Sequence, residues 1–293
     1  MVHKSGFVNI LGNPNVGKST LMNALVGERL SIITSKAQTT RHRIRGIVNG
    51  DDFQIVYSDT PGILKPNYKL QESMLKFVNT AFIDADIILY VTDVVEKFDK
   101  NASFIGRLQK TKIPVILLIN KIDLSSEQEL ENLVEEWHTL LPHAEILPVS
   151  AIKKFNVSFL FDKILTLLPE GPEYYPKDTL TDQNERFFVS EIIREKVFTN
   201  YQKEIPYSTE VSIESFKEEK NLTRISAVIF ILRDSQKGII IGKQGKALKK
   251  VGTEARKDIE EFLQKKVFLE LFVKVKKDWR DEPGILRSFG YNN

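Results

Sequence analysis

The stretch "GNPNVGKS", residues 12–19, fits the pattern G-x-x-x-x-G-K-[ST] and stands between an apolar run and a helix-forming run. Gly12 and Gly17 allow backbone N–H groups to turn inward around phosphate oxygens, and the N-terminus of the following helix favours negative charge. Lys18 can reach the β- and γ-phosphates, and the Ser19 hydroxyl can bind Mg²⁺. The stretch therefore predicts a strand, a phosphate-binding loop and a helix, which together form the core of a P-loop fold.

The sequence around this stretch alternates short apolar strands with amphipathic helices as far as "FNVSFLFDKILTLL". The runs "RIRGIV" and "FQIVYSD" flank the turn signal "NGDD" and predict a hairpin. The later strands, "ADIILYVTD" and "IPVILLIN" among them, are separated by helices, which favours parallel pairing. The predicted fold class is α/β, a mostly parallel sheet with helices on both faces and one antiparallel edge strand.

Two further motifs follow predicted strands and indicate a guanine nucleotide. In "DTPG", residues 59–62, Asp59 can hold Mg²⁺ through water and the Gly62 N–H can contact the γ-phosphate. In "NKID", residues 120–123, the Asp123 carboxylate can accept hydrogen bonds from guanine N1–H and from the exocyclic amine. Adenine carries a lone pair on N1, which the carboxylate would repel. Because ligands of α/β sheets bind at the carboxyl ends of strands, we expect these motifs to converge on one site.

The residues beside Asp123 complete the predicted guanine site. Lys121 can pack along the base plane, and Asn120 can tie neighbouring loops together. The run "VSA", residues 149–151, ends the next strand, so the backbone N–H of Ala151 can point at guanine O6. In this order the motifs predict a GTPase domain.

The segment "KAQTTRHRIRG" lies between the phosphate loop and "DTPG" and predicts a nucleotide-sensitive loop. A threonine hydroxyl there is expected to complete the Mg²⁺ shell when GTP is bound. Thr39 and Thr40 are both candidates, and we favour Thr40; the other threonine then starts the next strand.

Ile63 follows "DTPG" at the position where many GTPases carry a glutamine that orients water. Isoleucine cannot bind water, so either hydrolysis is slow and depends on a partner or another element supplies the missing stabilisation. In related GTPases an asparagine at the position of Asn15 helps to coordinate K⁺. Our hypothesis is that Asn15 does so here; the alternative is an asparagine that only caps a turn.

The stretch "PEGPEYYPKDTLTDQ", residues 169–183, contains three prolines and a glycine and predicts a linker. Beyond it the periodicity indicates a compact α-β-β-α-β domain that ends in the strand "KVFLELFVKV". We therefore expect a GTPase domain over 1–170, a linker over 171–184 and a second domain with a C-terminal tail over 185–293.

The second domain contains "GIIIGKQGKALKK", residues 238–250, a strand-like apolar run followed by two glycines and a lysine-rich helix. The stretch fits a loop that holds a nucleic-acid backbone, or a simple glycine turn before a basic helix. Residues 186–293 carry 22 lysines and arginines against 16 aspartates and glutamates, an excess that suggests a polyanionic partner. A solvated lysine-rich face is the alternative.

The composition is that of an ordinary globular protein, with 42% hydrophobic and 28% charged residues. The chain has no cysteine, which excludes disulfides and thiolate metal sites and suits a reducing compartment. No signal peptide or membrane-spanning segment is expected, because the most apolar runs have the length of strands.

The motifs "GNPNVGKST", "KAQTTRHRI" and "YSDTPGI" resemble the Era family of bacterial GTPases, within the TrmE–Era group. The resemblance implies a Ras-like GTPase domain followed by a smaller α+β type-2 KH domain of order α-β-β-α-α-β, whose G-x-x-G loop would be Gly242–Gly245. It covers nearly the whole chain, least clearly the tail after about Lys277. Asn13 replaces a common arginine and Ser58 a common apolar residue, and neither change affects a catalytic group.

The resemblance implies a complete set of site residues. Lys18, Asn15, Thr40 and Gly62 would act in catalysis, and Ser19, Thr40 and Asp59 would bind Mg²⁺. GTP or GDP would contact Gly12, Asn13, Pro14, Asn15, Val16, Gly17, Lys18, Ser19, Thr20, Asp59, Thr60, Pro61, Gly62, Ile63, Asn120, Lys121, Asp123, Ser150 and Ala151. RNA would contact Ile241, Gly242, Lys243, Gln244, Gly245, Lys246, Lys249 and Lys250.

The partner that the resemblance implies is small-subunit ribosomal RNA near its 3′ end, bound by a cytoplasmic monomer during assembly of the 30S subunit. Family members also associate with the inner face of the membrane. The GTP state would act on the second domain through the linker. Two alternatives stay open: a constitutive RNA-binding chaperone with a structural nucleotide site, and a metabolic P-loop kinase, against which "NKID" argues.

Overall fold

The computed structural model describes residues 2–96 and 102–291, which fold into two compact units. The first unit contains the chain up to Ser31, Thr40–Pro66 and Met74–Asp182. The second contains the chain from Gln183 onward together with two segments of the N-terminal half, Ile32–Thr39 and Asn67–Ser73. The predicted linear boundaries at 170 and 185 stay predictions, and the outer limits at 1 and 293 lie outside the described residues.

A six-stranded sheet forms the centre of the first unit, with strand order β2-β3-β1-β4-β5-β6. Only β2 runs antiparallel to its neighbour, which confirms the predicted mostly parallel sheet with one antiparallel edge strand. The strands are β1 (Lys4–Gly12), β2 (Ile44–Asn49), β3 (Phe53–Asp59), β4 (Ile87–Asp93), β5 (Val115–Asn120) and β6 (Glu145–Pro148).

Helices cover this sheet because its central strands are apolar on both faces. Every residue of β4 and β5 is buried, as expected for strands in a parallel sheet. The helices of the N-terminal half are α1 (Lys18–Val26), α2 (Lys69–Ile83), α3 (Ala102–Lys110), α4 (Glu127–Leu140) and α5 (Val157–Leu167).

The segment predicted as a linker is fastened to the strands of the first unit. The Gln54 side chain accepts from the backbone N–H groups of Tyr174 and Tyr175 at 2.7 and 3.0 Å. The N–H of Ile47 donates to the Leu180 carbonyl at 2.8 Å. These bonds hold the proline-containing chain along β2 and β3.

The second unit has a three-stranded sheet of order β7-β8-β9, in which β7 and β8 are antiparallel and β9 is parallel to β8. Buried residues of α6, α8 and α9 pack with this sheet around one apolar core, for example Ile193, Ile240 and Ile259. The elements are α6 (Glu185–Asn200), α7 (Ile205–Ser208), β7 (Glu210–Glu218), β8 (Leu222–Ile231), α8 (Asp234–Ile241), α9 (Lys246–Leu263), β9 (Lys266–Val275) and α10 (Pro283–Ser288).

The strand-like interpretation of "GIII", residues 238–241, is wrong, because these residues end helix α8. The Gln236 side chain fixes the start of this helix by accepting from the N–H groups of Leu232 and Arg233, both at 3.1 Å. A short isoleucine run has no periodicity that separates a strand from a helix. The order derived from periodicity therefore lacked one helix, whereas the order implied by the family resemblance is confirmed.

The tail after β9 packs into the second unit through Trp279. The indole is fully buried, and its Nε1 donates to the Ser208 carbonyl at 3.1 Å. Its ring packs edge-to-face with Phe289, with 5.8 Å between the ring centroids. The structure therefore gives Trp279 a role in packing of the tail, since a buried indole cannot stack on RNA.

Across the part of the chain that the structure describes, no helix has both the length and the apolar character needed to cross a membrane.

Replacing Trp279 by alanine is expected to lower the free energy of unfolding by about 3–5 kcal/mol, because it removes a large buried ring and leaves a cavity. Urea denaturation followed by circular dichroism measures the change. Phe272 on β9, 47% exposed, is the matched control, and Phe272→Ala should change stability by less than about 0.5 kcal/mol. Equal effects of the two substitutions would contradict the packing of the tail.

Candidate nucleotide site and nucleic-acid interface

The phosphate loop connects β1 to α1 and depends on glycine at both ends. Gly12 has φ 147°, and a Cβ there would lie 2.1 Å from the Val91 carbonyl oxygen. Gly17 has φ 96°, and its Cβ would lie 2.2 Å from Asn120 Nδ2. Both positions combine a positive φ with a neighbouring atom that leaves no room for a Cβ, so only glycine permits this loop conformation.

Lys18 begins α1 and lies buried inside the phosphate loop. Its Nζ donates to the carbonyl oxygens of Gly12 and Asn13 at 3.1 and 2.7 Å. Burial lowers the pKa of Lys18 to about 8, although the carboxylates of Asp59 and Glu96 act in the opposite direction. A nearby phosphate would favour the charged form of this lysine.

Ser19, Thr40 and Asp59 bring three oxygen groups together beside Lys18. Asp59 Oδ2 accepts from Ser19 Oγ at 2.6 Å and from Thr40 Oγ1 at 3.2 Å, and the two hydroxyl oxygens are 2.9 Å apart. By contrast, the Thr39 hydroxyl bonds to Thr34 Oγ1 and to the Lys36 carbonyl at 2.5 and 2.7 Å, outside this cluster.

This cluster has the chemistry of a Mg²⁺ site. Asp59 is fully buried, and burial raises the pKa of its carboxyl against the effects of Ser19 and Lys18. Its other oxygen, Oδ1, makes no hydrogen bond of ordinary geometry among the described residues. Two hydroxyls and a buried carboxylate with an unpaired oxygen fit a hard cation that prefers oxygen ligands.

Asn120 and Ser150 join the loops that would surround guanine. Asn120 Nδ2 donates to the Val16 carbonyl at 2.8 Å, and Asn120 Oδ1 accepts from the Ala151 N–H at 3.0 Å. Asp123 is exposed, and its Oδ1 accepts from Ser150 Oγ at 2.5 Å. The sequence prediction did not include the bond from Ala151 to Asn120, which engages the N–H that was expected to face guanine O6.

Lys121 connects the guanine loop to the phosphate loop. Its Nζ donates to the Asn15 carbonyl at 2.6 Å and to Asp93 Oδ2 at 2.5 Å. Asn15 itself is exposed and has φ 66°, in the left-handed region.

Ile63 is buried and packs into the apolar core with Leu11 and Val78, not into the nucleotide site. Its N–H donates to the Gly12 carbonyl at 3.1 Å. Gly62 lies directly on the phosphate loop, where a Cβ would come within 2.6 Å of Pro14. The remaining motif residues, Thr20, Thr60 and Pro61, surround this region; the Thr60 hydroxyl donates to the Ile10 carbonyl at 2.7 Å.

The "GKQG" loop joins α8 to α9 and has three residues with positive φ: Gly242 at 70°, Gln244 at 55° and Gly245 at 74°. A Cβ on Gly242 would lie 2.6 Å from the Ala247 Cβ, so this glycine permits close packing within the protein. A Cβ on Gly245 would have no atom within 4 Å. The space beside Gly245 is therefore open to a ligand.

A groove of about 350 Å³ lies beside Gly245, between α9 and β9. Gly252 in α9 lines this groove, and a Cβ there would reach the Leu271 side chain on the opposite wall at 3.4 Å, an ordinary van der Waals contact. Four lysines are exposed around the loop and the first turns of α9: Lys243, Lys246, Lys249 and Lys250. Lys250 forms an ion pair with Glu254 at 3.8 Å. Gln244 is also exposed, whereas Ile241 packs against the core. The groove is lined by Gly245, Leu248, Lys249, Gly252, Thr253, Arg256, Leu269 and Leu271.

The sequence prediction missed the far wall of this groove. Thr253, Arg256 and Leu271 come from the second turn of α9 and beyond and from β9, which is distant in sequence. A signal was present in Gly252, since a glycine inside a helix costs about 1 kcal/mol and usually has a packing or functional reason.

Comparisons with known proteins agree with this arrangement. A family model for 50S ribosome-binding GTPases matches residues 7–121, and one for KH domains matches residues 204–280. GTPase Era of Syntrophus aciditrophicus is 46% identical over 295 residues, covering 100% of this chain and 96% of that protein. The chain belongs to the Era family of GTPases. A second family member, from Clostridium kluyveri, is 47% identical over 290 residues, covering 98% of this chain and 99% of its own.

Solved structures of Era have the same fold. An Era complex with MgGDPNP and nucleotides 1506–1542 of 16S ribosomal RNA matches with a TM-score of 0.95 and 40% identity, covering 99% of this chain and 100% of that one. A variant of Aquifex aeolicus Era bound to GDP and AlF₄⁻ matches with the same values. The predicted fold class, a P-loop GTPase unit followed by a KH unit, and the predicted GTPase activity are confirmed.

The lowered pKa of Lys18 predicts that nucleotide affinity falls as the pH rises above about 8. Above this pH the lysine of the empty site is neutral and must take up a proton when phosphate binds, which costs up to about tenfold in affinity per pH unit. Titration with a fluorescent GTP analogue between pH 7 and 9 measures the effect. Lys18→Met should bind weakly with a flat profile, and a flat profile for the unaltered protein would contradict the prediction.

Proposed function

We propose that this GTPase is a GTP-switched RNA-binding factor that holds single-stranded small-subunit ribosomal RNA near its 3′ end and assists assembly of the 30S subunit. The observation that carries the RNA part is the open space beside Gly245, at a groove with basic side chains. The Era structure in complex with nucleotides 1506–1542 of 16S ribosomal RNA supports the class of partner.

The proposed GTP site assigns a task to each group of residues. Ser19, Thr40 and Asp59 hold Mg²⁺, which when bound neutralises phosphate charge. Lys18 and the N–H groups of the phosphate loop bind the phosphates and stabilise charge that develops on them during in-line attack by water. The Gly62 N–H contacts the γ-phosphate, and Asp123 with Asn120, Lys121, Ser150 and Ala151 selects guanine.

Hydrolysis in this proposal lacks a side chain that orients water next to "DTPG", because Ile63 is buried in the apolar core. We propose that Asn15 helps to coordinate K⁺, which would supply the missing positive charge. The exposed, left-handed position of Asn15 at the rim of the phosphate loop supports this assignment.

The proposed RNA site uses the "GKQG" loop as a clamp on the sugar–phosphate chain. Gly245 gives the backbone access to it, Gly242 permits the tight packing of the loop, and Lys243, Lys246, Lys249 and Lys250 neutralise phosphates. Unpaired bases would enter the groove between α9 and β9, where Leu269 and Leu271 offer apolar contact and Thr253 a hydrogen-bonding group.

The proposed setting is the cytoplasm, with the protein acting as a monomer. Peripheral association with the cytoplasmic face of the membrane is a proposal that the family resemblance alone supports. Sedimentation with vesicles containing anionic lipids tests it, and a protein that stays in the supernatant at low salt would overturn it.

RNA binding is expected to be tighter with a non-hydrolysable GTP analogue than with GDP. Gly245→Asp should weaken it at least about tenfold, because the substitution strains a left-handed residue and sets a carboxylate against phosphate. Titration of a short unpaired RNA from the 3′ end of small-subunit ribosomal RNA measures both effects.

Gly284→Asp is the matched control, since it adds the same charge at an open glycine of α10 outside the loop. RNA binding that survives Gly245→Asp would reduce "GKQG" to a glycine turn. Equal RNA affinity with both nucleotides would favour the alternative function, a constitutive RNA chaperone whose nucleotide site is structural.

The K⁺ proposal predicts faster GTP hydrolysis in K⁺ than in Na⁺ at equal ionic strength. Asn15→Ala should remove the difference and leave GDP affinity nearly unchanged, because the main-chain carbonyl that Lys121 contacts is kept. Phosphate release under multiple turnover measures the rates. Equal rates of GTP hydrolysis in K⁺ and in Na⁺ would contradict the K⁺ proposal.

A further inference from the structure

Helix α6 buries two different faces. Val189, Ile193 and Val197 belong to the apolar core of the second unit. Another face carries Glu191, Arg194 and Glu195, which are 4%, 0% and 3% exposed. Burying these charges is costly unless each is paired and hydrogen-bonded, so the polar face requires a partner.

The partner is the segment Ile32–Thr39, which the structure assigns to the same unit. Arg194 Nη2 donates to the Thr39 carbonyl at 2.5 Å, while Nε and Nη2 also bond the two carboxylate oxygens of Glu191. The Ile33 N–H donates to Glu195 Oε1 at 3.2 Å. One face of α6 thus holds both ends of the segment.

A contact in the middle of the segment reinforces this hold. Lys36 Nζ donates to the Phe198 carbonyl, near the C-terminal end of α6. Within the segment, the Thr39 hydroxyl bonds to the Thr34 hydroxyl and to the Lys36 carbonyl, which closes a turn. The segment is therefore a compact loop whose last carbonyl is fixed by a guanidinium.

The position of this carbonyl matters because the next residue is Thr40. The Thr40 hydroxyl lies 2.9 Å from Ser19 Oγ and 3.2 Å from Asp59 Oδ2, in the cluster proposed to bind Mg²⁺. The peptide plane joining Thr39 to Thr40 is rigid, so a bond to the Thr39 carbonyl constrains the backbone from which the Thr40 hydroxyl projects.

We infer that Arg194 is a positioning residue for the GTP-bound state, which sets Thr40 for Mg²⁺ through the Thr39 carbonyl. The inference rests on the proposed role of Thr40. Glu191 holds the guanidinium from its other side, so the two side chains act together.

A double variant that replaces both charged partners tests the inference without leaving the Glu191 carboxylate unpaired. The neighbouring buried carboxylate of Glu210 keeps its hydrogen bond from the Tyr291 hydroxyl at 2.7 Å. In Glu191→Gln/Arg194→Met the contact to the Thr39 carbonyl is lost, while the volumes are nearly kept. Affinities for GDP and for a non-hydrolysable GTP analogue, both with Mg²⁺, are measured by equilibrium titration. Thermal denaturation checks that the variant is folded.

We expect the analogue to bind about tenfold more weakly, the effect of losing one charge-assisted hydrogen bond, while GDP affinity changes less than about twofold. GDP should be spared because such loops are ordered by contacts to the γ-phosphate and Mg²⁺. Arg186→Gln, an exposed arginine in the first turn of the same helix, should change neither affinity.

Thr40→Ala separates failure of the inference from failure of the proposed site. Selective loss of analogue affinity in Thr40→Ala but not in the double variant would overturn the role of Arg194 alone. No loss in Thr40→Ala would overturn the proposed Mg²⁺ role of Thr40 and the inference with it. Equal loss of GDP and analogue affinity in the double variant would show a structural role only.

Discussion

The buried carboxamide of Asn120 is the interaction on which the nucleotide site depends. Its Nδ2 donates to the phosphate loop at Val16, its Oδ1 accepts from Ala151, and it leaves no room for a side chain at Gly17. An amide can satisfy both bonds because it carries donor and acceptor on one rigid group. Three loops that end different strands are thereby held in one arrangement.

Much of the fold could be predicted from the sequence because burial leaves a regular pattern. Strands such as β4 and β5 are continuous apolar runs, and the motifs at their carboxyl ends mark the site. The same reasoning gave the wrong structure for the apolar run that ends α8, since three consecutive isoleucines fit a strand as well as a helix. The buried position of Trp279 could not be predicted, because its hydrogen-bond acceptor, the Ser208 carbonyl, is far away in sequence.

The candidate site was predictable to a similar degree. Motif residues could be assigned because their chemistry is local: Lys18 follows its own loop, and Asp59 ends its own strand. The polar face of α6 could not be found this way. In a sequence, Glu191, Arg194 and Glu195 have the spacing of an exposed helix face with an (i, i+3) pair between Glu191 and Arg194, and only the tertiary fold shows that they are buried.

The contacts of the nucleotide motifs and those of the polar face of α6 both bear on the proposed coupling between nucleotide and RNA binding. Ile63 is committed to the apolar core, so the proposed mechanism assigns contact with the γ-phosphate to Gly62. The segment Ile32–Thr39 is held by α6. The same α6 that holds this segment also packs with α8 and α9, which flank the "GKQG" loop. If the GTP-bound protein binds RNA more tightly than the GDP-bound protein, bound RNA must raise the affinity for GTP relative to GDP by the same factor. Replacing a buried ion pair by apolar residues of similar volume is often neutral for stability, so we propose that the pair of Glu191 and Arg194 serves to fix one arrangement of the segment.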